Sequence, residues 1–323
     1  SGGRIVSAGA GVEVPDDAER VSHEGRTVIP GLISAHSHVG QVGGTAMGAK
    51  NYTREIITAE LAQFGRLGVT TVVALGNNGP LFTELRADAH AAKIAGADLF
   101  GVMQGIGVPN GAPPQESLKV APNQLFRPET GEEARKAIDK MAAADTDLVK
   151  LWLDNFGGLL PVKMKPEVYE AVIDQSRKHG LKVAAHVHDL VDAEAIIEAG
   201  ADILAHGIRD KPVPERLVAK MKSKGVWYVP TLALDDATFI WAEAPEWTKS
   251  PFVRAALSPE LTAQIDDPAW REKVLAEPRT AAARRSLAMN LQNLKTLHDA
   301  GVKIGFGTDS GATPLRVPGI AEH

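Results

Sequence analysis

Residues 178–207 read KHGLKVAAHVHDLVDAEAIIEAGADILAHG. The stretch opens on the polar end of one helical pattern, breaks at Gly180 and runs into the apolar segment LKVAAHV. A second helical pattern over about 190–199 breaks at Gly200 and runs into ADILA. A glycine just past a helix supplies the left-handed position that a Cβ penalises, and a short apolar run buried on both faces is a parallel strand. The unit is therefore strand, helix, strand. The same punctuation recurs in RLGVTTVVAL (66–75), IAGADLFGVM (94–103), KSKGVWYVP (222–230) and DAGVKIGFGT (299–308), marked by Gly68, Gly96, Gly225 and Gly301. Repeated units of this kind predict an α/β architecture with parallel strands.

Two further strands lack the glycine mark, TVIPGLI at 27–33 and TDLVKLWL at 146–153, which makes eight. Helices are predicted over about 53–66, 81–95, 131–144, 166–179, 190–199, 214–224 and 284–300, several opening on Pro or an acidic first turn. Eight strands with seven helices between them favour a (β/α)8 barrel over residues 26–323 rather than an open sheet. Residues 235–283, rich in Trp, Pro and charge (WAEAPEWTKSPF, DDPAWREK), interrupt the repeat after the seventh strand. A βα loop of that length sits over the mouth of a barrel, so a short helical lid is expected; a contact between copies in a homo-oligomer, or surface decoration, is the competing reading. Residues 1–25 read as one or two strands of a small β-structure outside the barrel.

Composition narrows the chemistry. The 323 residues hold 35 Lys+Arg against 40 Asp+Glu, a net charge of −5, so there is no broad basic field for nucleic acid. No apolar run approaches the ~20 residues that cross a bilayer, and residues 1–30 lack the charged and apolar regions of a signal peptide, although one removed before residue 1 is compatible with the sequence. Compartment stays open. The partner expected is a small-molecule substrate. With no Cys, thiol nucleophiles, Cys-ligated zinc and iron–sulfur clusters are excluded, leaving His, carboxylate or something less usual to hold any metal.

Barrel strands end at the catalytic mouth, and five of these ends carry a potential ligand. The first ends in His36-Ser37-His38, whose alternation points both imidazoles the same way. The fifth ends in AAHVHD with His186 and His188, the sixth in ILAHG with His206, and the eighth in GFGTDSG with Asp309; the fourth carries Lys150 in LVKLW. Each alone has a bland reading: a surface HxH, a hydrogen-bonded core His206, an N-capping Asp309. A Lys within a barrel strand is harder to dismiss, because Lys is almost never buried without a partner. Five of ten histidines at the strand ends of one inferred barrel, with a buried Lys and an Asp, point to a metal centre. His23, His90, His179 and His298 are expected at the surface.

Through VIPGLISAHSHVG, LVKLW, VAAHVHD, ILAHG and GFGTDSG, in that order, the chain resembles the amidohydrolase superfamily, from about Gly25 to Arg316. It is most similar to binuclear Xaa-Pro dipeptidases and N-acyl-amino-acid hydrolases, together with imidazolonepropionase-like members. The resemblance implies two divalent metal ions, with Zn²⁺ as the working assignment because a His and carboxylate site also accepts Mn²⁺ or Co²⁺. It implies that His36, His38 and Asp309 hold the more buried ion and His186 and His206 the more exposed one, with Lys150, N-carboxylated by CO2, bridging them. A metal-bridging hydroxide would attack the carbonyl of an amide, and Asp309 would carry its proton to the leaving amine. His188 would hydrogen-bond substrate or oxyanion, or else orient a ligand; Arg209 would pair with a substrate carboxylate, or else be solvated.

Two departures from the family pattern stand out. Ser34 occupies a position where the family usually has Asp, which is expected to loosen the orientation of the nearby imidazoles. After Asp309 only 14 residues remain, too few for an eighth helix and for the strands that complete the family's β-sandwich, which residues 1–25 would begin. The expectation is a piece of a protein of more than 400 residues by that resemblance. Competing functions are lactone or phosphoester hydrolysis on the same binuclear site, and a non-catalytic truncated scaffold.

Overall fold

The computed structural model describes residues 4–323 and divides them into two compact units, the first ending at Pro30 and the second spanning Gly31–His323. Residues 1–3 of the expected N-terminal β-structure lie outside the described residues. Residues 4–30 form turns, including those closed by Ala18 N–H to Pro15 O at 3.1 Å and Arg26 N–H to His23 O at 3.0 Å, and contain no strand or helix among the described residues.

The second unit holds eight parallel strands among the described residues: β1 (Leu32–Ser37), β2 (Val69–Leu75), β3 (Asp98–Val102), β4 (Val149–Trp152), β5 (Val183–His186), β6 (Ile203–Ala205), β7 (Trp227–Val229) and β8 (Lys303–Ile304). They form one sheet in the order β1-β2-β3 and another in the order β8-β7-β6-β5-β4, every pairing parallel. Backbone hydrogen bonds join the two sheets through segments that continue past the outer strands. Ala35 N–H donates to Phe306 O (2.8 Å) and His38 N–H to Ser310 O (2.7 Å) on one side; Ile106 N–H donates to Lys150 O (2.8 Å) and Trp152 N–H to Ile106 O (2.9 Å) on the other.

The first strand corrects the sequence reading. It begins at Leu32 rather than Thr27, because Pro30 has no N–H to give a ladder and pairing with β2 starts at Leu32 opposite Val69. His36 thereby lies inside the strand.

Between the strands run α1 (Arg54–Arg66), α2 (Leu81–His90), α3 (Gly131–Ala143), α4 (Pro166–Lys178), α5 (Leu190–Ala199), α6 (Glu215–Lys224) and α7 (Pro278–Asp299). Thr53 and Thr130 cap α1 and α3 by accepting from Ile56 N–H and Glu133 N–H. α2 stops five residues short of the predicted end, where Ala92 turns left-handed at φ 53° and Lys93 N–H reaches back to Asp88 O. α7 starts six residues early because Pro278 at its first turn has φ preset for helix. The six punctuating glycines all have positive φ. Gly96 has a second constraint: a Cβ there would sit 2.1 Å from Leu61 O, so only glycine lets the approach to β3 pass this close to α1.

Two apolar cores hold these layers. Ile57, Leu61 and Phe64 of α1 pack with Val69, Val72 and Leu99, while Val149, Leu151, Val183 and Leu204 pack with Ile138, Val172, Ile196 and Met221 of α3 to α6. The 235–283 stretch is helical, with short helices at Ile240–Glu243, Pro251–Arg254, Pro259–Asp266 and Pro268–Ala276. It makes a third core of Trp241, Val253, Leu261 and Ile265 with Val317 and Ile320. No helix among the described residues is long and apolar enough to cross a membrane.

Candidate metal centre

The last strand segment is pulled against β1. Thr308 and Asp309 N–H both donate to His36 O, at 3.2 and 2.8 Å. Gly307 permits this, since a Cβ there would lie 2.7 Å from His36 N. Asp309 itself is left-handed at φ 61°, a conformation Asp tolerates better than most residues and one typical of functional sites. As a result Asp309 Oδ1 lies 3.2 Å from His36 Nε2 and 3.1 Å from His38 Nε2, while His38 Nδ1 faces Gly76 O at 3.3 Å. The Arg316 guanidinium closes on the other carboxylate oxygen, Oδ2.

Lys150 enters from β4, fully buried, with Nζ 3.5 Å from His36 Nε2 and 5.3 Å from the centroid of the Trp152 ring. Burial pushes its ammonium down to about 7, partly opposed by Asp154. Near neutral pH a large share of Lys150 is therefore the free amine, the form that reacts with CO2.

His186 closes β5 and His206 follows β6. Their ring centroids are 4.2 Å apart, and His206 lies 4.5 Å from His36. His206 Nδ1 is 2.8 Å from Thr231 Oγ1. Desolvation, followed by the nearby Lys150 charge for His36 and His186 and by the neighbouring His186 for His206, holds all three imidazoles well below their ordinary value; the same causes bring His38 to about 3. All four are neutral at pH 7, the form that ligates. Both ring nitrogens of His186, Nδ1 of His36 and Oδ2 of Asp154 are buried without a hydrogen-bond partner. Each such group costs about 1–3 kcal/mol. His36, His206 and Asp309 offer one ligand atom apiece within 4.8 Å of one another. Convergent neutral imidazoles, a buried carboxylate and unsatisfied nitrogens fit a divalent cation.

The structure thus gathers His36, His38, Lys150, His186, His206 and Asp309. His188 stands apart from that cluster, half-buried, with Nδ1 2.7 Å from Asp189 Oδ1. Arg209 is buried, not solvated, and its Nη1 lies 3.3 Å from Asp235 Oδ1. Its loop is pinned by α7. Asn293 donates to Ile208 O and Lys211 O, both at 2.9 Å, and accepts from Val213 N–H at 2.8 Å. Asn290 donates to Pro230 O at 2.8 Å and accepts from Tyr228 OH at 3.2 Å. His23, His90, His179 and His298 are exposed, as expected.

Three acidic or basic groups escaped the sequence reading. Asp154 is fully buried with Oδ1 3.5 Å from His186 Nε2, and burial pushes it up to about 7. The signal existed: Lys150, Trp152 and Asp154 are spaced by two, the period of one strand face. Arg316, and Glu322 beneath β1, carried no local pattern. Ser34 is buried too, with Oγ 2.7 Å from Ser37 Oγ and bonded to Glu322, so its segment is tied rather than loosened.

The amidohydrolase family model matches residues 27–319. In sequence, uncharacterized proteins of Mycobacterium tuberculosis and Mycobacterium bovis are 25% identical over 300 residues, covering 90% of this chain and 66% of theirs. The chain spans just under two thirds of the length of those relatives. Similar solved structures include a Xaa-Pro dipeptidase with methionine bound in its active site (22% identical, 87% of this chain and 66% of that one, TM-score 0.62). Others are an amidohydrolase (18%, 97% and 71%, TM-score 0.68) and a prolidase complexed with N-methylphosphonate-L-proline (18%, 92% and 69%, TM-score 0.66). At these identities the likeness is one of fold.

Proposed function

Because the chain belongs to the amidohydrolase family, we propose that it is a metal-dependent hydrolase of amide bonds, acting on an Xaa-Pro-type dipeptide or an N-acyl amino acid. The observation that carries this reading is the buried convergence of four neutral imidazoles, Asp309 and a Lys150 held near neutrality. We read the eight strands as a (β/α)8 barrel, supported by the backbone bonds that segments continuing past the outer strands make between the two sheets. That reading puts the cluster at the strand C-termini, where such barrels work.

His36, His38 and Asp309 would hold one divalent ion and His186 and His206 a second, with Lys150 as a carbamate between them. When bound, the ions would polarise the substrate carbonyl and acidify a water. Asp309 would accept a proton at a carboxylate oxygen and return it to the leaving amine. Its neighbour Arg316 holds Oδ2, which fixes the plane of the carboxylate while leaving Oδ1 toward the imidazoles. Arg209, buried and paired with Asp235, and Arg316, partly buried and paired with Asp309, both lie near Asp235, and a pair of guanidinium groups there would suit the free carboxylate of a dipeptide or acyl amino acid. His188, half-buried near them, would donate to substrate.

Turnover of a matched amide, lactone and phosphotriester panel, with elemental analysis of bound metal, tests the reading. Preferential amide hydrolysis with about two metals per chain is expected. A lactone or phosphotriester preference by orders of magnitude, or well below one metal after reconstitution with zinc and bicarbonate, defeats it.

A further inference from the structure

Glu322 is buried beneath the Asp309 side of the cluster, in a turn 13 residues downstream of that ligand. Its Oε1 accepts from Ser34 Oγ at 3.0 Å, Thr308 Oγ1 at 2.6 Å and Ser310 Oγ at 2.7 Å; its Oε2 accepts from Gly319 N–H at 3.0 Å. Ser37 Oγ completes the set, 2.7 Å from Ser34 Oγ and 3.1 Å from Ser310 Oγ. The placement of these donors matters more than their number. Thr308 and Ser310 flank Asp309; Ser34 and Ser37 bracket His36. One carboxylate therefore gathers hydroxyls from both chain segments that supply ligands, where β1 and residues 308–310 are joined directly by backbone bonds such as His38 N–H to Ser310 O.

We propose that Glu322 is a positioning residue that sets the separation of the His36-Ser37-His38 segment from Asp309 and thereby the metal affinity of that half of the site. The proposal rests on the metal-site reading above. Charged acceptors form stronger bonds than neutral ones, and a hydroxyl left without its acceptor in a dry interior is free to find another by moving the backbone that carries it. With the acceptor removed, three hydroxyls lose their common anchor at once, Ser37 is left bonded only to two of them, and a left-handed Asp309 loses the neighbours that hold it there. In Glu322→Gln, one oxygen still accepts from hydroxyls while the amide NH2 opposes Gly319 N–H, a graded version of the same loss.

The test is zinc titration of the full chain and its variants, read as dissociation constants by competition with a chromophoric chelator, alongside thermal unfolding. Glu322→Ala is expected to weaken one zinc about 100-fold and Glu322→Gln about 10-fold, leaving the other zinc within a few-fold. Ser310→Ala, which keeps the carboxylate and loses one donor, keeps the question open to measurement should Glu322→Ala fail to fold; it is expected to weaken the same zinc several-fold. Ile320→Val, a packing change in the same segment, should lower the unfolding temperature without touching either constant. If the wild type binds zinc and the Glu322 and Ser310 variants bind it equally well, the positioning role is overturned and the metal site stands. A wild type that binds no zinc overturns both.

Discussion

The two halves of the cluster are built from the same residue types and held in opposite ways. Around Asp309 the chain segments are tied to one another: both imidazole Nε2 atoms lie close to Oδ1, His38 Nδ1 meets Gly76 O, and the strand segments are joined through Glu322, although His36 Nδ1 has no partner. Around His186, the partners run out. Neither of its nitrogens nor Asp154 Oδ2 is hydrogen-bonded, although Asp154 Oδ1 lies 3.5 Å from the ring. In a low-dielectric interior every unpaired polar atom is penalised, and on His186 the penalty falls on both nitrogens of one ring. The lesson is that the Asp309 half is preorganised by backbone and hydroxyl bonds of the fold, whereas the His186 ring is left without the protein partners that a cation would replace. Lys150 joins them, on the strand beside β5 and within 3.5 Å of His36.

Breaking that junction should have the largest effect. Lys150→Ala is expected to lose one of two metals by elemental analysis and to lower kcat/KM by about three orders of magnitude, with partial rescue by a short carboxylic acid in solution. Unchanged metal content would sink the bridging role. Next comes a variant that separates the halves. Asp154→Asn preserves shape but removes the ionisable carboxyl beside His186, so the weaker metal should bind about 10- to 100-fold less tightly while the tighter one is unaffected. Equal weakening of both ions would show that the halves are not independent.

Asn290→Ala sharpens the comparison from the outside. Asn290 accepts from Tyr228 OH and donates to Pro230 O, and Tyr228 OH in turn accepts from Ile208 N–H, two residues past His206. Its removal leaves buried groups unpaired and should cost about 1–3 kcal/mol in chemical denaturation. A loss within a few tenths of a kcal/mol would mean the loop after β6 is held by other means.

How much of this was legible follows from the range of each signal. The strand ends and their candidate ligands are local patterns, an apolar run that carries or closes on a His, Asp or Lys and that follows a glycine in six of the eight strands, so His36, His38, His186, His206, Asp309 and Lys150 could be picked out as candidates from the sequence. Asp154 obeyed the same period of two and was readable. Glu322 was not, because its partner Ser34 is 288 residues away in sequence, and Asn290 lies 62 residues from Tyr228. Such pairs exist only once the chain has folded. The start of β1 was misplaced for a local reason: Thr27, Val28 and Ile29 look like strand, yet Pro30 cannot donate to a ladder and the pairing with β2 begins at Leu32.

The smallest expected effect lies at the edge of the preorganised half, in Glu60 of α1. Its residue is only partly buried, but its Oε2 accepts from Gly40 N–H at 2.6 Å, two residues past His38. Burial pushes this carboxyl up to about 8 from the ordinary 4.5, and the Gly40 bond offsets part of that rise. The folded chain therefore keeps a proton that the unfolded chain has released between pH 4.5 and about 8, so stability falls as pH rises through that window and the penalty is complete above it. Glu60→Gln keeps an oxygen to accept from Gly40 and removes the ionisation. It should be close to neutral at pH 4.5 and stabilising by about 1 kcal/mol at pH 8.5, read as the shift in urea midpoint at the two pH values. A shift of the same size at both would mean that the carboxyl is not desolvated, and that the loop carrying His38 into α1 is as open to water as the rest of the surface.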